Sequence, residues 1–232
     1  MAHRKASIWF LAAVLLLLTG CTAGKVSVQS GDRIVFFGDS ITELGVKPNG
    51  YVTLVKEELN RRHPDLQLEV IGAGVSGNKV SDLLDRLQRD VLRRNPTIVV
   101  IYIGINDVWH WTLQNLQGTT QVEYESGLRE IIARIQYAGA RVLLCTPSVI
   151  GEKHDGTNPQ DAMLEEYAEI SRKVARGLGA RLCDLRKAFM AYLLANNNEN
   201  KEQGILTYDR VHLNDEGNKL VAREILKSMG ED

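Results

Sequence analysis

Residues 97–103 read Thr-Ile-Val-Val-Ile-Tyr-Ile, a run in which β-branched side chains predominate. A continuous run of this kind, without polar alternation, is typical of a strand that is buried on both faces. Such strands occur in parallel sheets that helices cover on both sides. Gly104-Ile105-Asn106-Asp107 follows directly, so the predicted strand ends at a glycine and polar residues. The segment therefore predicts a buried strand of an α/β fold.

Strand-like and helix-like segments alternate on either side of this run. Further strands are predicted at 33–37, 66–71, 141–145 and 180–183. Helices are predicted at 51–62, 80–94, 122–137, 161–178 and 185–194, and Asn214 is expected to cap a last helix that runs to Met229. Five strands separated by helices predict a three-layer α/β/α sandwich on a five-stranded parallel sheet, formed by one domain over residues 33–232.

The composition is that of an ordinary globular protein. The chain has 232 residues, of which 44% are hydrophobic and 25% charged, and its net charge is −1. These values exclude a disordered chain and a multi-span membrane protein, and they offer no basic surface for nucleic acid. No His/Cys/Asp cluster has metal-ligand spacing, so no metal is expected. Cys145 and Cys183 lie in apolar runs, which favours buried thiols over a bridge between them.

The first twenty residues are typical of a signal for export. Residues 3–5 are basic, and residues 8–18 form an unbroken apolar run. A spanning helix needs about 20 apolar residues, so this run is too short for a permanent anchor. It ends in Leu18-Thr19-Gly20-Cys21, which resembles the bacterial lipobox, whose cysteine is lipidated and becomes the mature N-terminus. An ordinary cleaved signal that carries a cysteine is the alternative.

The lipobox resemblance implies an exported lipoprotein. Acyl chains on Cys21 would hold it at a membrane of the bacterial cell envelope, on the periplasmic side or at the cell surface. Residues 21–32 are mostly small and polar, and we expect them to form a tether between the lipid and the domain.

Unusual residues follow the predicted strands, at the edge where parallel sheets bind their ligands. Gly38-Asp39-Ser40 places a serine at a strand-to-helix turn. The hydroxyl would point toward the cleft, and the backbone N–H would lie at a helix start that favours negative charge. Both properties suit a nucleophile whose attack creates an oxyanion. A serine that only caps the helix is the alternative at this position.

Three further residue types complete a candidate catalytic set. The spacing of Asp209 and His212 can fold the carboxylate onto one imidazole nitrogen, which leaves the other nitrogen free as a base. Gly77 allows close approach of its backbone N–H, and the Asn106 amide is a neutral donor, so both suit an oxyanion hole. A solvated ion pair, a turn glycine and an Asx turn are the alternatives for these residues taken singly.

The order and spacing of these segments resemble the SGNH hydrolases, also called the GDSL esterase/lipase family, over residues 33–227. Gly38-Asp39-Ser40 matches the nucleophile block, although Ile41-Thr42 replaces the leucine of the family name. Gly104-x-Asn106-Asp107 matches the third block, and Asp209-x-x-His212 matches the last. In the second block Gly77 matches, but Gly72-Ala73-Gly74 stands where the family has Asn-x-Gly.

This resemblance implies a flavodoxin-like SGNH hydrolase fold and a cofactor-free serine esterase. It makes Ser40 the nucleophile, His212 the general base and then acid, and Asp209 the residue that orients the imidazole. It also assigns the oxyanion hole to the N–H groups of Ser40 and Gly77 and to the amide of Asn106.

The residues that flank this predicted site are candidate substrate contacts. Asp39 precedes the nucleophile, and Trp109 and His110 follow the third block, with Trp111 beside them. For the tryptophans, packing in the core is the alternative to contact with an acyl or sugar group.

Residues 72–77 also fit the Gly-x-Gly-x-x-Gly pattern of dinucleotide-binding folds. That motif requires an acidic residue about 20 positions later, at the end of the next strand. Asp85 and Asp90 fall inside a predicted helix instead, and Asp107 is too distant. The sequence therefore favours the esterase interpretation over nucleotide binding.

The expected activity is hydrolysis of a carboxylic ester through an acyl-enzyme on Ser40. Acetylated carbohydrate suits an exported enzyme, and lysophospholipid or another acyl ester suits one held at a membrane. Three alternatives stay open at this point: acyl transfer or thioester cleavage by the same residues, a non-catalytic carbohydrate-binding protein of the envelope, and the nucleotide-binding protein. The sequence does not indicate the oligomeric state.

Overall fold

The computed structural model describes residues 26–113 and 115–231. The predicted export signal and Cys21 lie outside the described residues. Within the described ranges, no helix is long and apolar enough to cross a membrane.

One parallel sheet forms the centre of the molecule. Its strands are Arg33–Gly38 (β1), Glu69–Gly74 (β2), Ile98–Tyr102 (β3), Arg141–Cys145 (β4) and Arg181–Cys183 (β5). They lie side by side in the order β2-β1-β3-β4-β5, which is the flavodoxin-like order. Strands β1 and β3 occupy interior positions, and all five residues of β3 are buried. The five-stranded parallel sheet predicted from the sequence is confirmed.

Eight helices of the described chain connect or flank the strands. They are Ser40–Gly45 (α1), Tyr51–Arg62 (α2), Val80–Asp90 (α3), Ile105–Trp109 (α4), Gln121–Tyr137 (α5), Asp161–Leu178 (α6), Leu185–Asn196 (α7) and Asp215–Met229 (α8). Helix α2 packs against α8, whereas α5 packs against α3 and α6. The crossover from β1 to β2 runs in one direction across the sheet, and the crossovers from β2 through β3 and β4 to β5 run in the other. Right-handed connections therefore place α2 on one face and α3, α5 and α6 on the other.

The register of the central strands brings the candidate site together. Gly38, at the end of β1, is level with Gly74 of β2 and Tyr102 of β3. Tyr102 is in turn level with Cys145 of β4. Segments that follow these strands therefore start from one edge of the sheet, although they are far apart along the chain.

The strand β2 lies three residues later than the sequence predicted. Its last residues are Gly72, Ala73 and Gly74, which we expected to lie directly after the strand. A Cβ at Gly74 would collide with the backbone of Thr42 and Glu43, and one at Gly72 would collide with the side chain of Val46. The glycines therefore continue the strand because α1 crosses directly over it.

The described part of the predicted tether, residues 26–32, packs against the domain. Val26 is buried in the core, and Gly31 N–H donates a hydrogen bond to the carbonyl of Leu66. The buried carboxylate of Asp32 pairs with Arg141 at 2.7 Å. Residues 26–32 thus pack on the edge of the sheet where the strands begin, because apolar and ionic contacts hold them there. Residues 26–32 therefore belong to the packed domain, which the sequence predicted to begin at Arg33.

The two cysteines of the described chain are free and buried. They lie level with each other on neighbouring strands, Cys145 on β4 and Cys183 on β5. The expectation of buried thiols is confirmed.

Candidate active site

The nucleophile turn is formed by three residues at the end of β1. Gly38 ends the strand, and a Cβ there would collide with Thr42 and with the carbonyl of Tyr102. Asp39 is the N-cap of α1, and its Oδ1 accepts a hydrogen bond from Ile41 N–H at 3.0 Å. Ser40 is the first residue of that helix, so its backbone N–H is one of the donors that no helical carbonyl satisfies.

A loop before α8 brings the imidazole to this serine. Nε2 of His212 lies 2.9 Å from Oγ of Ser40, which is 172 residues away along the chain. Nδ1 of His212 lies 2.6 Å from Oδ2 of Asp209. The other carboxylate oxygen accepts the backbone N–H groups of His212 at 2.7 Å and Val211 at 3.1 Å. The structure therefore brings all three predicted catalytic residues into contact.

Hydrogen bonding to Asp209 determines which ring nitrogen of His212 carries the proton. Partial burial alone would raise the pKa of Asp209, but the hydrogen bonds from the His212 side chain and from nearby backbone N–H groups outweigh burial and hold this pKa below its usual value. An ionised carboxylate only accepts hydrogen bonds. Nδ1 of the neutral imidazole therefore carries the proton, and Nε2 is left to accept the Ser40 hydroxyl proton.

The predicted oxyanion donors lie on two segments that contact each other. Gly77 has a φ of +77°, a conformation that glycine adopts without steric cost. Asn106 is buried in α4, and its Nδ2 donates a hydrogen bond to the carbonyl of Asn78 at 3.0 Å. This bond uses one of the two N–H groups of the amide. It fixes the side chain of Asn106 against the loop that carries Gly77.

Asp39 does not reach the cleft surface. Its side chain is buried and caps α1, which replaces the predicted substrate contact with a structural role. Burial raises the pKa of Asp39 to about 7 against the opposing hydrogen bond from Ile41 N–H, and nearby Asp107 acts in the same direction as burial. Burial likewise raises the pKa of Asp107 to about 6, although this carboxylate accepts the N–H of Val80 at the start of α3.

Arg86 links the ends of β1 and β2 to the loop that carries Gly77, which we call the oxyanion loop (residues 75–79). Its guanidinium donates to the carbonyls of Gly38 at 2.7 Å and Ala73 at 2.9 Å, and to Oδ1 of Asn78 at 2.6 Å. It also lies 4.6 Å from the ring centroid of Phe37. Arg86 was not among the residues predicted from the sequence. The available signal was an arginine placed three residues after Leu83, close to the apolar face of α3.

The other candidate substrate contacts are partly covered. Trp109 packs against the core, and Trp111 is half-exposed and donates its Nε1–H to the carbonyl of Thr119. His110 is partly buried, and burial together with the positive charge of Lys79 lowers its pKa, against the opposing charge of Asp82.

An aromatic residue that the sequence analysis did not select lies beside the imidazole. The ring of Tyr208 stacks on His212 with centroids 5.8 Å apart and an interplanar angle of 18°. Tyr208 is 55% exposed. Its position directly before Asp209 was the only signal in the sequence.

The glycine pattern at 72–77 serves packing in this structure. The close approach that Gly74 permits is used by α1, where a dinucleotide-binding fold would place the pyrophosphate. The N–H of Val80 at the start of α3 is bonded to the carboxylate of Asp107, and a phosphate would need that donor. The geometry therefore argues against nucleotide binding at this loop.

A serine, an imidazole and a carboxylate in sequential contact, at the carboxyl ends of a parallel sheet, define a serine hydrolase site. Residues 36–220 match the sequence model of the GDSL-like Lipase/Acylhydrolase family, and the chain belongs to that family. It is a carboxylic ester hydrolase of the SGNH type.

Named relatives cover nearly the whole chain. Acetylxylan esterase of Geobacillus stearothermophilus is 30% identical over 88% of this chain and 97% of that protein. A solved structure, the acetyl xylan esterase AlAXEase, is 47% identical over 84% of this chain and 98% of its own, with a TM-score of 0.82. A rat homologue of isoamyl acetate-hydrolyzing esterase 1 is 26% identical over 82% of this chain and 78% of its own length.

Proposed function

We propose that this enzyme removes acetyl groups from acetylated carbohydrate of the xylan type through an acetyl-enzyme on Ser40. One observation carries the proposal. Nε2 of His212 lies within hydrogen-bond distance of the Ser40 hydroxyl, while Oδ2 of Asp209 contacts the other ring nitrogen, Nδ1. This arrangement lets the serine lose its proton as it attacks an ester carbonyl.

The reaction proceeds in two halves. Oγ of Ser40 forms a bond to the ester carbonyl carbon, and its proton passes to Nε2 of His212. The N–H groups of Ser40 and Gly77 and the amide of Asn106 stabilise the resulting oxyanion. The intermediate collapses as the carbon–oxygen bond to the sugar breaks, and His212 gives its proton to the departing alcohol.

Water then completes the cycle. His212 takes a proton from a water molecule, whose oxygen attacks the acetyl carbonyl of the acyl-enzyme. Acetate leaves, and the proton returns to Oγ of Ser40. Throughout both halves the negative charge of Asp209 stabilises the transient imidazolium without taking its proton.

Two features support an acetyl ester of a bulky alcohol as substrate. Two of the three named relatives are acetylxylan esterases by name, and the third is a homologue of an isoamyl acetate-hydrolyzing esterase. The catalytic side chains also reach the surface, since His212 is 20% and Asp209 39% exposed. Catalytic groups at the surface can reach an ester on a sugar chain that otherwise remains in solvent.

A series of p-nitrophenyl esters of increasing acyl length, measured beside acetylated xylooligosaccharides, tests this proposal. We expect the acetate to be the best of the series and the oligosaccharides to release acetate, both with loss of activity in Ser40→Ala. A preference for long acyl chains with no release from the oligosaccharides would contradict the substrate. Product analysis with a competing alcohol or thiol in the assay distinguishes acyl transfer from hydrolysis.

We further infer that the enzyme is an exported lipoprotein, anchored through Cys21. The support is the basic, apolar and small-residue order of residues 1–21. Mass spectrometry of the N-terminal peptide from the membrane fraction tests this. A diacylated Cys21 in the wild type, and its absence with release of the protein in Cys21→Ser, are expected. An unmodified N-terminus in the soluble fraction would contradict the anchor.

A further inference from the structure

Glu152 is a fully buried acidic residue in the segment that follows β4. Its Oε1 accepts the backbone N–H groups of Leu206 at 2.7 Å and Thr207 at 2.5 Å, and the Thr207 hydroxyl at 2.8 Å. Its Oε2 accepts the N–H of Ile205 at 2.8 Å. Four donors on three consecutive residues thus converge on one carboxylate. None of these donors belongs to a residue assigned to catalysis.

The three residues that Glu152 holds, 205–207, lead directly into the catalytic loop, which we define as residues 207–213. Thr207 and Leu213 close the loop through an antiparallel bridge. Within the loop, Tyr208 N–H donates to the carbonyl of His212 at 3.0 Å. Just outside it, Asn214 N–H donates to the carbonyl of Leu206 at 2.9 Å. The position of the loop therefore depends on where residues 205–207 are fixed.

The residue before Glu152 holds the same loop at its far end. Gly151 N–H donates to the carbonyl of Arg210 at 2.8 Å. Arg210 has a φ of +82°, a backbone conformation that costs energy for a residue with a side chain. A contact from outside the loop thus stabilises a conformation between Asp209 and His212 that the loop would not prefer alone. The backbone N–H of Glu152 also donates to the carbonyl of Glu202 at 2.9 Å, in the segment that precedes the catalytic loop.

We propose that Glu152 is a positioning residue for the catalytic reaction, which sets the distance between His212 and Ser40 by fixing the catalytic loop. The inference rests on the proposed function. Position 152 requires a carboxylate because all four neighbouring groups donate hydrogen bonds, and an ionised carboxylate only accepts them. A glutamine of the same shape would turn an N–H₂ group toward backbone N–H donors in either orientation of its amide. The loop would then have to move away from the side chain.

The test compares Glu152→Gln with a matched control, Asp32→Asn. Asp32 is also a buried carboxylate, and it accepts hydrogen bonds from Gln29 N–H and from Arg141 at the opposite edge of the sheet. We expect both variants to have a lower Tm. Only Glu152→Gln should lower kcat, by roughly 10- to 100-fold with little change in KM, since small displacements of reacting groups have effects of this order.

Two further measurements separate positioning from general destabilisation. The rate at which a fluorophosphonate labels Ser40 should fall with kcat in Glu152→Gln and stay at the wild-type value in Asp32→Asn. The low-field proton resonance of the hydrogen bond between His212 and Asp209 should shift or broaden in the first variant only. Wild-type kcat, labelling rate and resonance in folded Glu152→Gln would overturn the proposal.

Thr207→Val provides the test if Glu152→Gln does not fold. It removes one of the four donors and leaves the carboxylate in place. A smaller loss of kcat in the same direction supports the proposal, and wild-type kcat with the wild-type resonance overturns it.

Ser40→Ala distinguishes failure of the proposed function from failure of the positioning role of Glu152. Full activity in Ser40→Ala would contradict the proposed function. An inactive Ser40→Ala together with a fully active Glu152→Gln would contradict only the positioning role of Glu152.

Discussion

Nη2 of Arg86 lies 2.7 Å from the carbonyl oxygen of Gly38, two residues before the nucleophile. Arg86 lies in α3, the helix that connects β2 to β3. Its side chain therefore extends from this helix to the turn that carries Ser40. The same guanidinium bonds the carbonyl of Ala73 and the side chain of Asn78. The nucleophile turn and the oxyanion loop therefore share one buried cation as support.

Replacement of Arg86 by methionine should destabilise the fold strongly. The variant leaves the carbonyls of Gly38 and Ala73 without this donor, and an unsatisfied buried polar group costs about 1–3 kcal/mol. We expect the free energy of unfolding in urea to fall by roughly 3–5 kcal/mol.

The control for this change is Arg89→Ala. Arg89 pairs with the same acid, Asp90, but its side chain is 70% exposed. Exposed ion pairs contribute about 0–1 kcal/mol, so little loss is expected. Equal losses in the two variants would show that the pairing with Asp90, and not the buried carbonyl contacts, determines the effect.

Asp39→Asn should change how stability depends on pH. The pKa of Asp39 is raised to about 7 in the folded protein, against about 3.9 in an unfolded chain. The folded state therefore holds a proton that the unfolded state releases, and this contribution is full below pH 4 and is lost as the pH rises through 7. The wild type should lose up to roughly 4 kcal/mol of stability over this range from Asp39.

Urea unfolding of both proteins at pH 5 and pH 8 measures this effect. Asparagine keeps an oxygen for the N–H of Ile41 and carries no charge, so the decrease in stability toward pH 8 should be smaller in the variant. Asp107, with its pKa raised to about 6, acts in the same direction and preserves part of the decrease in both proteins. An identical pH dependence in the two proteins would contradict the raised pKa.

Asn106→Ala tests the oxyanion hole. Loss of one preorganised donor lowers kcat by about 10²–10³ in comparable sites. We expect a decrease of that order for p-nitrophenyl acetate. Asn196→Ala, at the exposed end of α7, is the control and should keep wild-type kcat. A loss below about tenfold in folded Asn106→Ala would show that the amide does not contact the developing oxyanion.

Much of the fold could be predicted because it depends on local patterns. The helices Tyr51–Arg62 and Asp161–Leu178 and the strand Arg141–Cys145 have the predicted bounds. Their periodicity and end signals lie within the segments themselves. The strand β2 was misplaced because Gly72 and Gly74 have no local reason to be extended. That reason is the helix α1, which the sequence pattern did not separate from the preceding turn.

The residues of the candidate site also divide into those that local sequence predicts and those whose roles depend on the folded chain. The spacing of Asp209 and His212 was informative because their contact is formed within one turn of chain. Arg86 and Glu152 were missed because their contacts join segments that only the folded sheet brings together. Tyr208 was missed although its contact with His212 lies within one loop, because no periodic pattern marks an aromatic residue in a loop. Asp39 was misassigned for a related reason. A residue next to the nucleophile can point into the cleft or below it, and burial decides between these directions.

Tyr208→Ala should separate the recognition of sugar from chemistry on small esters. The exposed ring lies parallel to His212 and offers a flat apolar face beside the catalytic groups. We expect KM for acetylated xylooligosaccharides to rise, with a smaller change for p-nitrophenyl acetate. Tyr137→Ala removes a ring that is 96% exposed at the end of α5, and it should alter neither value. Equal effects of Tyr208→Ala on both substrates would assign the ring to orienting His212 instead.

Gly74→Ala tests the explanation for the extended strand β2. The added Cβ would collide with backbone atoms of Thr42 and Glu43, which cannot rotate away as a flexible side chain would. We expect a loss of roughly 1–3 kcal/mol in the free energy of unfolding, as for other overpacked sites, together with reduced labelling of Ser40 because α1 must shift. Gly177→Ala in α6 is the control. Its Cβ would meet only the end of the Arg129 side chain, so equal or greater stability is expected there. Wild-type stability of Gly74→Ala would mean that α1 does not require a glycine beneath it.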